Sequence, residues 1–183
     1  MKLRIKSTKT TITILGIYQI VASLMGFSLV AYLLIRTNEI NGPILFIFFI
    51  SIGLYGLAYK SGILLLRKNY NRGLIYSMIS QITQIIAVAF GGNKYAFSSG
   101  IKISSGFNFT KGFTLNFDFG FRSEFNISIN TSDREYFLYI NFAAIFLLYL
   151  FYNIYKELKS EKTKNNIGDL ENENEVRTPN TRS

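Results

Sequence analysis

The sequence predicts a membrane α-fold with a β insertion. It reads as a four-transmembrane-helix bundle with an extracytoplasmic antiparallel β-meander of three strands, with room for a fourth, between helices 3 and 4. Three observations carry this reading. Long apolar runs are separated by short basic segments. One stretch between the third and fourth runs alternates strictly between apolar and polar residues. Charged residues make up only 17% of the chain, against 49% apolar and 16% aromatic, whereas soluble domains are usually about a quarter charged. Apolar residues gathered into runs of this length mark a membrane chain rather than a globular core. Residues 1–183 form a single membrane domain.

The first run, residues 12–35, follows the basic residues Lys2, Arg4, Lys6 and Lys9. As a helix it would be ~36 Å long, enough to cross a ~30 Å hydrocarbon core with some tilt. A signal peptide has a shorter apolar core, and this run continues past the weak cleavage site at Val21-Ala22-Ser23, so an uncleaved helix is expected. The second run, residues 44–66, has Pro43 in its first turn, where the missing N–H costs nothing. The third, residues 73–90, follows a basic turn with Arg67, Lys68 and Arg72 and ends at Gly91-Gly92. It is short and should stand nearly upright. The fourth, residues 136–155, has aromatic belts at both ends: Tyr136, Phe137 and Tyr139, then Phe151, Tyr152 and Tyr155.

Orientation follows from Lys and Arg. They concentrate before the first run, in the turn after the second, and at residues 156–164, whereas the first turn holds only Arg36. Both termini of this multi-pass chain are therefore expected in the cytoplasm, with the long loop outside the plasma (bacterial inner) membrane. The net charge of +9 belongs to these flanks and does not indicate nucleic acid. Abundant Ile, Asn, Lys, Phe and Tyr suggest a low-GC bacterial genome. Residues 160–183 are polar and expected to form a disordered cytoplasmic tail or a frayed helical extension.

From 95 to 131 odd positions carry the large apolar residues: Ile101, Ile103, Phe107, Phe109, Phe113, Leu115, Phe117, Phe119, Phe121, Phe125, Ile127 and Ile129. No even position carries a large apolar residue, and from Ser98 on they are polar or Gly, including Lys102, Ser104, Asp118, Arg122 and Glu124. Side chains alternate faces along a strand, so this is one apolar and one polar face. Opposite residues of an antiparallel pair share a face, so each hairpin needs an odd number of loop residues. Thr110-Lys111-Gly112 fits, with Gly112 left-handed, placing Phe107 opposite Leu115 and Phe109 opposite Phe113. Arg122-Ser123-Glu124 would set Phe121 opposite Phe125 and Phe119 opposite Ile127. Ser98-Ser99-Gly100 and Ser104-Ser105-Gly106 are further candidate turns, bulges or bends. An apolar face of this size is expected to be covered, and an open sheet cannot enter lipid with unpaired edges. The expected cover is the chain's own helices and the membrane interface, with a partner protein or second copy as the alternative. The candidate face is Phe107, Phe109, Phe113, Leu115, Phe117, Phe119, Phe121 and Phe125.

The chain has no Cys and no His. That removes thiol nucleophiles, disulfides, most zinc and haem ligation and the usual general base. No phosphate loop or metal cluster is present, so no catalytic, cofactor or metal site is expected. The apolar runs hold no Asp or Glu, which disfavours ion-coupled transport. Their polar residues Gln19, Gln81, Gln84 and Asn141 are candidate interhelix contacts, and Lys60 a snorkelling anchor. Ala22 with Gly26, Gly53 with Gly56, and Ala58 with Gly62 are spaced for close helix packing. Asn108, Asn126 and Asn130 begin glycosylation-type sequons that an Asn-rich chain produces by chance.

Four helices with an outer sheet resemble the claudin-like proteins in outline. Those proteins place the sheet between the first two helices and carry a Trp- and Cys-containing motif. This chain has neither residue, so the resemblance carries no function across. The expectation is a non-enzymatic integral membrane protein, an accessory or structural subunit whose outer sheet mediates packing or association. Its partners would be the lipid bilayer and other membrane subunits or a second copy. The alternative is a small transporter, channel or lipid/solute-binding protein that uses the Gln81/Gln84 face.

Overall fold

The computed structural model describes residues 8–132 and 134–177. Lys2, Arg4, Lys6, Asp133 and residues 178–183 lie outside them. Helices α1 (Thr8–Arg36) and α2 (Gly42–Leu66) have 29 and 25 residues, and both are long and apolar enough to cross a membrane. The Asn41 side chain caps α2 by accepting from the Ile44 N–H, and Pro43 sits in its first turn. Helix α3 (Tyr70–Ile82) has only 13 residues, while α4 (Phe142–Arg177) has 36. Where the composition of the tail predicts disorder or a helical extension, α4 continues through residues 160–177.

Six strands lie between α3 and α4: β1 (Ile86–Phe90), β2 (Asn93–Ser98), β3 (Ile101–Asn108), β4 (Thr114–Phe121), β5 (Glu124–Ser128) and β6 (Phe137–Asn141). Two expected helical spans are thereby corrected. The span at 73–90 is helical only to Ile82, and its last five residues are β1. The span at 136–155 begins with β6, and its helix starts at Phe142. Hydropathy cannot separate a buried strand from a helix. Residues 85–90 are Ile-Ile-Ala-Val-Ala-Phe, and Gly91 and Gly92, both at positive φ, fold them back as a hairpin onto β2.

The sheet is not a meander of three or four strands. Its order is β4-β3-β6-β1-β2-β5, every neighbour antiparallel. The register across Lys111 is as parity requires, with Phe107 opposite Leu115 and Gly112 at positive φ. The second hairpin is corrected. The chain turns at Arg122–Ser123, but β5 pairs with β2, setting Phe97 opposite Phe125 and Tyr95 opposite Ile127. Odd still meets odd, so the parity argument holds with a different partner. This turn is anchored elsewhere: Ser123 Oγ donates to Ala22 O, Tyr55 OH to Glu124 O, and Arg122 N to Gly100 O. Of the two Ser-Ser-Gly candidates, Ser98–Gly100 turns the chain at a positive-φ Gly100. Ser104–Gly106 stays inside β3.

The sheet is strongly curled. Its edge strands are β4 and β5. Yet Lys102 on β3 ion-pairs with Asp118 on β4 and with Glu124 on β5. In a flat sheet β3 and β5 would stand four strand spacings apart, about 19 Å, far beyond one lysine side chain. Helix α1 stands at the seam between the two edges, with Tyr18 beside Phe121 of β4 and Ala22 holding Ser123.

The helices meet through small residues. A Cβ on Gly26 would strike the Tyr55 ring, and one on Gly62 would lie 2.7 Å from Gly16 O, whereas Gly53 and Gly56 face open space. Below, Ile12, Leu15, Leu65, Leu74, Leu147, Phe151 and Ile154 form one core. This end of the bundle also carries the Arg67–Lys68–Arg72 turn, opposite the sheet. Above, Val30, Tyr55 and Phe97 form a second core, with Phe27, Tyr95 and Phe125 packed on it. Burying each such side chain stabilises by roughly 1.5–3 kcal/mol. Tyr18 OH accepts from Ile101 N at 3.0 Å and donates to Ser99 O at 3.3 Å. Tyr18 is about 15 Å along α1 from its start, so the sheet's lower end lies about a third of the way up α1, and the remainder, about 27 Å, rises beside the sheet.

Candidate functional site

Curling turns one face of the alternating sequence inward, and that face is the polar one. The concavity is a cavity of about 550 Å³ lined by residues of all six strands, including Lys94, Lys102, Ser104, Asn116, Asp118, Glu124 and Tyr139. Even positions of β2, β3, β4 and β5 supply its polar lining. The two-residue Gly91–Gly92 turn reverses parity in β1, pairing Val88 with Tyr95. For that reason odd positions of β6, such as Phe137 and Tyr139, point inward beside Ala87 of β1.

Near the floor, Lys102 is the hub. Its ammonium lies 3.0 Å from Asp118 and also pairs with Glu124, and Arg122 pairs with Asp118. Burial acts against the Asp118 carboxylate. The hydrogen bonds and charges of Arg122 and Lys102 outweigh it and hold the carboxyl below its ordinary range. At the rim, Lys94 pairs with Glu135 at 2.6 Å. On the wall, Asn116 Nδ2 donates to Tyr139 OH at 3.0 Å. The cup thus presents cationic, anionic and amide groups to one half-open space, a lining suited to a small charged or zwitterionic solute.

The polar residues singled out from the sequence lie beneath this cup. Gln19 is buried and its Oε1 accepts from Ser61 of α2 and, at 3.1 Å, from Ser77 of α3, so it joins three helices as interhelix glue should. Gln84 lies beyond the end of α3 and reaches the sheet: its Oε1 accepts from Ser99 N at 2.8 Å while Nε2 donates to Ser80 O at 3.0 Å. Asn141 caps α4, its Oδ1 accepting from Ala143 N at 3.2 Å, and also takes Ile103 N. Gln81 is buried on the same face of α3. Lys60 is exposed, over the Tyr76 ring.

The candidate apolar face is covered over only part of its area. Phe125 joins the Tyr55–Phe97 core. Phe107, Phe109, Phe113, Leu115, Phe117, Phe119 and Phe121 point outward from the curled sheet and are exposed, Phe117 and Phe119 by 77% and 78%. Of the expected cover, the chain's own helices and the membrane interface, the helices reach only the Phe97–Phe125 part of the face. Curling directs β3 and β4 away from α1 and α2.

No protein-family model matches this chain, and comparison with curated proteins and with solved structures found no match. Among the described residues no cluster of His, Cys, Asp and Glu is arranged to hold a metal ion.

Proposed function

We propose that this chain is a non-enzymatic, multi-pass membrane protein whose curled sheet is an outward-open cup for a small charged or zwitterionic solute. The observation that carries it is the Lys102–Asp118–Glu124 cluster near the floor of a half-open, polar-lined cavity whose outer surface is apolar. Polar inside and apolar outside is the pattern of a sheet meeting lipid on its convex side, and its edges β4 and β5 curl toward each other at α1 rather than opening onto lipid. On this reading the chain crosses the plasma membrane four times, twice as whole helices (α1 and α2) and twice as half helix, half strand (α3–β1 and β6–α4). Both termini lie in the cytoplasm. The basic turn at Arg67–Arg72 and the sheet at opposite ends of the bundle support that orientation.

The test uses two measurements. In a chain without Cys, Asn116→Cys should label with an impermeant maleimide on intact cells. Glycine, phosphoethanolamine and inorganic phosphate, each at about 10 mM, are then screened for a rise in melting temperature. At least one should stabilise the parent protein and not Lys102→Met. Labelling only after permeabilisation overturns the orientation, and no stabilisation by any probe overturns the cup.

A second reading has its own observation. The bare β4 face, with Phe117 and Phe119 outward, would suit association with another membrane subunit or a second copy. Native mass spectrometry from nanodiscs should then show a defined oligomer or a co-purifying subunit. A strict monomer sinks this reading.

A further inference from the structure

We infer that the cup opens at its floor into a file of water sites that descends between the helices and is stopped by an apolar plug. This rests on the cup reading above. Behind the Lys102–Glu124 pair lies a second cavity, lined by Gln84, Ser104, Tyr139 and Asn141, with a volume of about 10 Å³, room for roughly one water. Five buried side-chain atoms among the described residues have no hydrogen-bond partner in the protein: Ser104 Oγ, Asn141 Nδ2, Ser98 Oγ, Ser99 Oγ and Gln19 Nε2. All five residues are less than 5% exposed. Buried polar atoms are rarely left unpaired, and ordered water is their usual partner where protein atoms are absent.

These atoms are not scattered. Ser104 and Asn141 face the small cavity, and Ser99 follows through its backbone bond to Gln84. From there Gln84, just past the end of α3, leads to Gln81, Ser80 and Ser77 on one face of that helix, all buried, descending about 10 Å. At the lower end Ser77 donates to Gln19, whose Nε2 is the last unpartnered donor. Ser77, Ser80 and Gln84 bond to one another, to Gln19 or to backbone, and the unpartnered atoms lie at the two ends of this stretch. The remaining donors and acceptors are those a water file would use. None of the residues in this stretch is ionisable, so the file is lined by hydroxyl and amide groups alone, which suit water and can replace part of a small cation's hydration shell. Below Gln19, the bulky side chains of Ile12, Leu65, Leu74 and Phe151 close the way, as an apolar constriction does in a gated pore.

Single cysteines at Ser104, Ser99, Ser80 and Ser77 test this in proteoliposomes of otherwise Cys-free protein. Ser→Cys is close to isosteric, and a parent-like melting temperature confirms the fold of each variant. Silver ion, close to water in size, is added to the cup side, and thiol block is scored by loss of maleimide labelling after denaturation. Ser51→Cys is the control, because Ser51 is equally buried but bonds to Phe48 O, away from the file. Every file position should be blocked at least about tenfold faster than Ser51→Cys, since reaction requires solvent access to the thiol. Ser77→Cys should react more slowly when silver is added from the opposite side. If Ser104→Cys reacts fast while Ser80→Cys and Ser77→Cys match the control, the file is overturned and the cup stands. If Ser104→Cys also matches the control, the cup falls and the inference with it. Equal rates at Ser77→Cys from both sides would remove the plug.

Discussion

The convex face of the sheet has two halves built from the same alternating pattern and treated differently by the fold. On β2 and β5, Tyr95, Phe97 and Phe125 pack against Val30 and Tyr55, and Phe97 is 3% exposed. On β3 and β4, Phe107, Phe117 and Phe119 meet no helix core, Phe121 meets only the Tyr18 ring, and all four stay exposed. Residue type does not separate the halves; the presence of α1 and α2 does. Gly26 lets the Tyr55 ring press against α1, and Tyr55 in turn meets Phe97 edge-on at 5.1 Å. An apolar face therefore need not mark the inside of a fold when the surroundings are lipid. Here the inside is polar, and the apolar face is divided between protein and surroundings.

The largest expected effect separates the halves by truncation. Phe97→Ala should cost about 3–5 kcal/mol in unfolding free energy, as for other buried Phe→Ala changes. Phe119→Ala should cost less than about 1 kcal/mol, because the side chain is 78% exposed and only cross-strand neighbours such as Ile103 lie beside it. Unfolding in detergent micelles measures both, and equal costs would mean that the bare half is packed after all.

A charge scan sharpens the bare half. Phe121 lies at the sheet's lower end beside Tyr18, and Phe113 at the distal turn. If this half faces lipid, Phe121→Arg in bilayers should cost about 2–4 kcal/mol and Phe113→Arg only about 0–1, following depth. Equal small costs would place the face in water, and equal large costs would place it against protein.

The alternation from 95 to 131 made the two faces and the Lys111 hairpin legible, because side-chain parity is a local property of a strand. The partner of β5 was not legible, because parity permits any odd–odd pairing and the choice of β2 depends on Ser123 and Tyr55 contacts with distant helices. Strands β1 and β6 were read as helix for a different reason: both lie in apolar runs whose hydropathy suits either structure. The polar residues Gln19, Gln84 and Asn141 were found from sequence, although Gln84 and Asn141 reach the sheet rather than other helices alone. The cup was missed even though Lys102, Asp118, Arg122 and Glu124 all sit at even positions. Their shared parity was the available signal, and only curling brings them together.

Lys102 couples the two halves, because it joins Asp118 on the bare half to Glu124 on the covered half. Lys102→Met should cost about 1–3 kcal/mol near pH 7 by leaving both carboxylates short of a partner. The pH dependence has a definite sign. Asp118 has its folded pKa lowered, so its contribution is complete above the ordinary carboxylate pKa and is lost as pH falls through the folded value. The gap between the variant and the parent should therefore be full at neutral pH and narrow below about pH 4. A gap that stays constant on acidification would show that Lys102 acts by packing alone.

The smallest effect is expected at the rim. Lys94 and Glu135 pair at 2.6 Å, but their side chains remain 23% and 44% exposed, and solvent screens such pairs. Lys94→Gln should therefore change stability by less than about 1 kcal/mol, with the difference shrinking in high salt. The comparison with Lys102 decides what closes the cup. Both lysines point into the same cavity, and only Lys102 reaches the two edge strands. If Lys94→Gln proved as costly as Lys102→Met, closure would depend on the summed charge of the lining. If it is nearly silent, closure rests on the one ammonium group that bridges β4 and β5.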